Sequence, residues 1–384
     1  METTMLAPDS ASGPEQILEI LEAMYSASGG KQGISAWQKQ NILRGNADLL
    51  RFPHHVLVDR IGVGWKGEVY KARNIETGAF ETIRTFAASS LNGLDGDEPK
   101  RLQQFLDRIS KIAAVQHPTF PVIRSCDTCQ NRHYQHIGYI VTEFIEGLNG
   151  RDAILRSIYG SVKDRLSWAL CATARLARGL QIAHDAGIFH LDIHDKSIRF
   201  DSAGNIWLTD LGIAELMTNR HSIPNPNSGS LAPEFATLAP SPMGTPYIMA
   251  PEQLIGDVKP SSAIDIYNLG CTLCYLIVGE YPFKADNVSQ LQQLVLSQSP
   301  ATSDVVSQIA RPIRPLIVRM LAKISENRPT AGEVANEIEE LANSTTFQRD
   351  IESKNIGSWL GRTFANWWPR AKVAKESDES RKVW

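Results

Sequence analysis

With 384 residues, 42% of them hydrophobic, the chain is too long for one small core, and at about 150 residues per domain it is expected to form one large two-lobed domain with appendages. Its 39 basic and 42 acidic residues leave a formal charge of -3, which excludes an electrostatic draw toward nucleic acid or an acidic ligand. No stretch approaches the roughly 18 apolar residues of a membrane span, the opening METTMLAPDS lacks a signal peptide's basic and apolar regions, and five cysteines fit no disulfide framework, so a reducing, cytoplasmic setting is expected.

In chain order, Ile17, Leu18, Leu21, Met24 and Tyr25 recur at helical spacing within residues 14–25, and ISAWQKQNIL after Gly29-Gly30 predicts a second short helix. From Val56 the period changes. HVLVDRIGVG, EVYKAR and FETIRTF are β-rich runs separated by glycine and polar turns, and they predict an antiparallel sheet up to about residue 90. Pro99 then opens a helix whose Leu102, Phe105, Leu106, Ile109, Ile112 and Ala113 share one face, which must pack on that sheet. Two further strands end in GYIVTEF, and beyond Gly147 the chain turns helical, with SWALCATARLARGLQIAHDAG as its longest amphipathic run. Residues 221–243 are rich in Pro and Ser and read as a mobile insert, and the composition shifts again from about residue 345. No internal repeat is visible. The expected division is a helical leader over 1–53, a β-rich lobe over 54–145, an α-rich lobe over 146–344 and an aromatic, basic tail over 345–384.

The first chemical candidate is IGVGWKGEVYKAR, in which Gly62, Gly64 and Gly67 join one strand to the next. Positions without side chains let backbone amides approach a phosphate, although a lone G-x-G-x-x-G equally describes an ordinary hairpin. The strand that follows argues against a dinucleotide fingerprint, which needs a helix there, and fits a phosphate-covering flap. Joined in order to FHLDIHDKSI, LTDLG (208–212), GTPYIMAPEQ (244–253), DIYNLG (265–270) and ENRPT (326–330), the chain resembles the eukaryotic-type serine/threonine protein kinases of bacteria over roughly residues 54–342. The resemblance implies an α+β, two-lobed fold: a five-stranded sheet with one helix, a helical lobe, and a nucleotide cleft between them. It implies a buried ion pair between Glu252 and Arg328, and Asp265 as the acid that braces the catalytic loop.

For the cleft, the resemblance implies Asp192 as catalytic base and contacts to ATP from Ile61, Gly62, Gly64, Lys66, Gly67, Val69, Arg84, Glu143, Ile145, Ser197 and Asp210. Asp210 and Ser197 fall on the positions of the Mg²⁺ ligands. The departures from the family pattern are concentrated here. Arg84 replaces the phosphate-binding lysine and Arg108 falls where its glutamate partner belongs, so two guanidinium groups are expected to face the phosphate site. Asp107, one residue away, is turned off that face by about 100° and substitutes poorly. Leu191, His194 and Ser197 stand for the loop's Arg, Lys and Asn, which removes a phosphate-binding arginine, a fixed charge and a long metal-binding arm. Thr82 and Arg199 alter the adenine slot, and a buried, unpaired Arg199 is expected to leave the slot or close it. Lys66, at the flap tip, is expected in solvent unless it reaches inward, as a loop-strand lysine does in with-no-lysine kinases.

Two functions follow as expectations. One is a pseudokinase, a signalling scaffold for a protein partner with weak or absent use of ATP and Mg²⁺. The other is a slow serine/threonine kinase with Asp192 as base, Asp210 on Mg²⁺, and Arg84 or Lys66 on the phosphates. An acidic side chain against Arg84 or Lys66, together with an open purine slot, counts against the first. The tail, with Trp359, Trp367, Trp368 and Trp384 and the basic Arg362, Arg370, Lys372 and Lys375, predicts a helix that docks on the lobes, on a partner or, as a peripheral contact, on a membrane surface. Cys126, Cys129, His133 and His136 are zinc-ligand residue types at a spacing far shorter than a zinc finger's, so hairpin side chains are expected, and Cys271 and Cys274 read as core.

Overall fold

The computed structural model describes residues 52–64, 66–91, 94–130, 136–156, 162–201, 203–217, 246–255 and 259–344, together with Ser35 and Gln38. The expected leader helices lie outside these residues except for Ser35 and Gln38, and the 221–243 insert, His133 and the aromatic tail lie wholly outside.

The first lobe is a five-stranded antiparallel sheet in the order β1-β2-β3-β5-β4, formed by β1 (His55–Gly64), β2 (Gly67–Asn74), β3 (Phe80–Ala87), β4 (Ile123–Gln130) and β5 (His136–Glu143). In β3, Glu81, Ile83 and Thr85 are buried and alternate with the partly exposed Thr82 and Arg84, so the period of two aims the latter pair at one face of the sheet. The other face receives α1 (Glu98–Ala113). Asp97 caps that helix through the Lys100 amide, and Leu102, Phe105, Ile109 and Ile112 form its buried stripe. Phe105 packs against Phe86 with ring centroids 5.2 Å apart, and it lies so close to β5 that a Cβ on Gly138 would sit 2.6 Å from its ring. Two leader side chains reach this sheet. Ser35 Oγ donates to Val58 O and Gln38 Nε2 to Leu57 O, at 2.7 and 2.9 Å.

A small sheet of β6 (Leu148–Asn149), β7 (Ile198–Phe200) and β8 (Ile206–Leu208) introduces the second lobe, whose helices are α2 (Gly150–Leu155), α3 (Val162–Asp185), α4 (Ile213–Met217), α5 (Pro251–Ile255), α6 (Ser262–Val278), α7 (Val288–Ser297), α8 (Asp304–Gln308), α9 (Arg314–Met320) and α10 (Ala331–Asn343). Fourteen consecutive residues of α6, Ile264 to Ile277, are buried, and the helix stops at Gly279 in the left-handed conformation. Cys271 and Cys274 are among the buried residues, as expected. Among the described residues no helix is long and apolar enough to cross a membrane, and no cluster of three His, Cys, Asp or Glu side chains is placed to hold a metal ion. Cys126 and Cys129 are free thiols on β4, and His136 on β5 faces Gln130.

The two lobes are fastened inside the second by the expected ion pair. Arg328 Nη1 and Nη2 reach Glu252 Oε1 and Oε2 at 2.5 and 2.7 Å, and the same guanidinium donates to Ala322 O and Ala263 O. This single side chain therefore joins α5, the start of α6 and the turn ahead of α10.

Candidate active site

The catalytic loop is held from below. Asp265, on α6 and without solvent exposure, accepts the His190 and Leu191 amides at 2.9 and 2.6 Å. Sequence reasoning anticipated this brace but missed its third strut, His184 Nε2, which donates to Asp265 Oδ2 at 2.8 Å. The brace matters because Leu191 has φ 63°, a left-handed conformation that costs a leucine of order 1–2 kcal/mol. His190 Nδ1 accepts the Asp192 amide, so Nε2 carries the proton and donates to Thr209 O at 2.8 Å. Burial first, and Lys66 next, hold His190 below the usual histidine pKa, so its imidazole is neutral. On the next strand end, Asp210 also adopts a left-handed backbone, φ 73°.

Above the loop, the β1–β2 hairpin closes over the cleft. Gly67 has φ 96°, and a Cβ there would lie 1.9 Å from Thr85 O, so only glycine fits. Gly64 differs: a Cβ would meet nothing within 4 Å.

Lys66 departs from the solvent-exposed reading of a flap-tip lysine. It is 6% exposed, with Nζ 2.6 Å from Asp192 Oδ2 and 4.0 Å from Asp210 Oδ2. The tight left-handed turn at Gly67 and the pull of two carboxylates direct it inward. Arg84 Nη2 is 2.6 Å from Asp210 Oδ1. The expectation of two guanidinium groups facing the phosphate site is corrected accordingly: Arg84 is there but bonded to an acid, while Arg108 turns away and pairs with Glu215 on α4. Glu215 was not foreseen, since nothing in a single sequence links it to Arg108. Asp107 is exposed and accepts from Gln103, as its helical angle requires.

The two acids are stabilised as anions. Burial pushes the Asp192 carboxyl up, but Lys66 and then His194 outweigh it and hold the group below the usual aspartate range; at Asp210 the same contest is won by Arg84 and Lys66. Asp192 Oδ1 is buried and has no hydrogen-bond partner. His194 Nε2 is 3.7 Å from Asp192 Oδ2, and burial keeps this ring neutral, so it does not replace the family lysine's charge. Asp195, which sequence reasoning passed over, is buried and bonded to Arg151 Nε at 2.7 Å and to the Tyr281 hydroxyl, fixing the loop to α2.

All twelve site residues named from sequence line one cavity of about 960 Å³: Asp192, Ile61, Gly62, Gly64, Lys66, Gly67, Val69, Arg84, Glu143, Ile145, Ser197 and Asp210. Thr82 and Arg199 line it too. Arg199 neither closes the slot nor leaves it completely. Its Nη2 donates to Gly147 O at 2.7 Å, while Nε stays buried without a partner. Of the charged side chains around the cavity, Lys66, Arg84, Arg151, Lys196 and Arg199 are basic and Glu143, Asp192, Asp195 and Asp210 acidic, a surplus of one positive charge.

A divalent ion does not fit this donor set. Asp210 already binds Arg84, Asp192 binds Lys66, and Ser197 Oγ both accepts the His194 amide at 3.0 Å and donates to His194 O at 2.9 Å. A fixed cation 4 Å from such an ion costs about 4 kcal/mol per unit of charge at an effective dielectric constant of about 20.

Comparison with known proteins agrees with this architecture. The profile of the protein kinase domain family matches residues 55–338. The chain is 26% identical over 280 residues to serine/threonine-protein kinase PknB of Mycobacterium leprae, covering 72% of this chain and 41% of that protein. It is 26% identical over 294 residues to the probable serine/threonine-protein kinase pknA2 of Bifidobacterium longum (74% and 35%), and 28% identical over 284 residues to serine/threonine-protein kinase PknJ of Mycobacterium bovis (72% and 43%). The matches thus span less than half the length of these relatives.

Proposed function

Because the chain belongs to the protein kinase domain family, we propose that it acts as a pseudokinase, a cytoplasmic scaffold or regulatory module for a protein partner, with phosphoryl transfer weak or absent. One observation carries this reading: the acids in contact with Lys66 and Arg84 are Asp192 and Asp210 themselves, the residues that turnover would need as base and metal ligand. In an active kinase, the lysine pairs with a helix glutamate and leaves both aspartates to the substrate and Mg²⁺. Here the acid contact restores no such couple. It occupies the catalytic carboxylates instead.

A second reading is favoured by two specific features. The cleft is open enough for a nucleotide, and Asp192 Oδ1 remains an acceptor without a partner, so a slow serine/threonine kinase in which Lys66 moves onto the phosphates is the alternative. Phosphate transfer from Mg-ATP to a general protein substrate, measured for the full chain and for Asp192→Ala, separates the two. The pseudokinase reading expects no transfer above the level of the variant. Transfer that the substitution abolishes establishes the slow kinase.

A further inference from the structure

We propose that the cleft binds a nucleoside triphosphate without a divalent ion, with Lys66 and Arg84 serving as the counter-charges that a metal would otherwise supply. This rests on the pseudokinase reading only in taking the cleft as a nucleotide site. The motivating disagreement is local: a fold that ordinarily presents two open carboxylates to Mg²⁺ presents here two carboxylates that already hold cations, at 2.6 Å each.

Three further observations point the same way. Lys66 lies within 4.0 Å of both acids, so its ammonium already sits between the oxygens a bridging ion would use. Ser197, the remaining metal-ligand position, is committed to the backbone of His194 through both its donor and its acceptor. Meanwhile, the cavity carries a surplus positive charge before any ion is added, and the flap leaves open space beside Gly64, where a phosphate oxygen can approach the backbone. An arginine presents a fork of donors, of which Nη2 is directed at Asp210, so Arg84 can hold its acid and a phosphate together. Adding Mg²⁺ to this arrangement sets a divalent charge against two resident cations and brings no new ligand.

The test is calorimetric titration of the full chain with ATP, once in excess EDTA and once in excess Mg²⁺, repeated for Lys66→Met and Gly64→Ala. The proposal expects ATP to bind at least as tightly in EDTA as in Mg²⁺, and Lys66→Met to weaken the EDTA affinity by about tenfold or more. Gly64 has room for a methyl group and an unstrained backbone, so Gly64→Ala should keep the thermal midpoint of the free protein and still weaken ATP. This second variant keeps the test decisive if Lys66→Met folds poorly. Binding that requires Mg²⁺ overturns the proposal. No binding under either condition also overturns it, while leaving the pseudokinase reading intact; Mg²⁺-dependent binding accompanied by phosphate transfer that Asp192→Ala abolishes overturns both.

Discussion

Lys66 shows how one side chain can convert a catalytic acid into a structural one. Its ammonium and the Asp192 carboxylate are both buried, so each is tolerated only because the other is present. Removing one partner of such a pair costs about 3–5 kcal/mol, whereas removing both charges costs far less. Lys66→Met should therefore lower stability in urea unfolding by about that amount, and adding Asp192→Asn should recover most of it. A coupling near zero in this double-mutant cycle would mean that the pair does not form. The positions of Arg84 and Asp192 were legible from motif order alone, because each sits at a fixed distance from glycine or aspartate landmarks. The inward course of Lys66 was not. Its direction is set by the φ of Gly67 and by acids 126 and 144 residues further along the chain, information that no local pattern contains.

The elements repeat this division between local and distant causes. Alternation in FETIRTF gave the faces of β3 correctly, and the apolar spacing after Pro99 gave the buried stripe of α1, because both depend on periods of two and 3.6 within one segment. The link from α1 to α4 through Arg108 and Glu215 joins residues 107 positions apart and stayed invisible. The anchoring of α5 was legible only through resemblance, since Glu252 and Arg328 are 76 positions apart. That anchor is a bidentate pair with Arg328 fully enclosed. Glu252→Ala should destabilise the chain by about 3–5 kcal/mol in chemical denaturation, far more than loss of an exposed pair such as Arg60 with Glu68, for which about 0–1 kcal/mol is usual.

At the scale of the whole molecule, three ion pairs cross between the lobes: Lys66 to Asp192, Arg84 to Asp210 and Arg108 to Glu215. Close to this junction, His117 lines the cavity with its Nδ1 against Thr119, and burial, with a lesser contribution from Arg175, brings its pKa from 6.5 to about 4. A histidine that titrates lower when folded leaves the unfolded chain to take up the proton first. Stability is then full above pH 6.5 and falls as the pH drops toward 4, by up to about 2 kcal/mol from this group at pH 5. Denaturation midpoints measured from pH 7 to pH 5 should fall for the native chain and fall less steeply for His117→Gln; equal slopes would place the titration elsewhere.

The hairpin over the cleft bears a charge at its tip, and this changes what governs entry. A glycine flap alone lifts by bending, but this one must draw an ammonium off a carboxylate and hydrate both. Dissolved ions favour the separated charges over the neutral pair, so the doorway of this protein loosens as ionic strength rises, the reverse of a cleft that merely attracts its anionic guest.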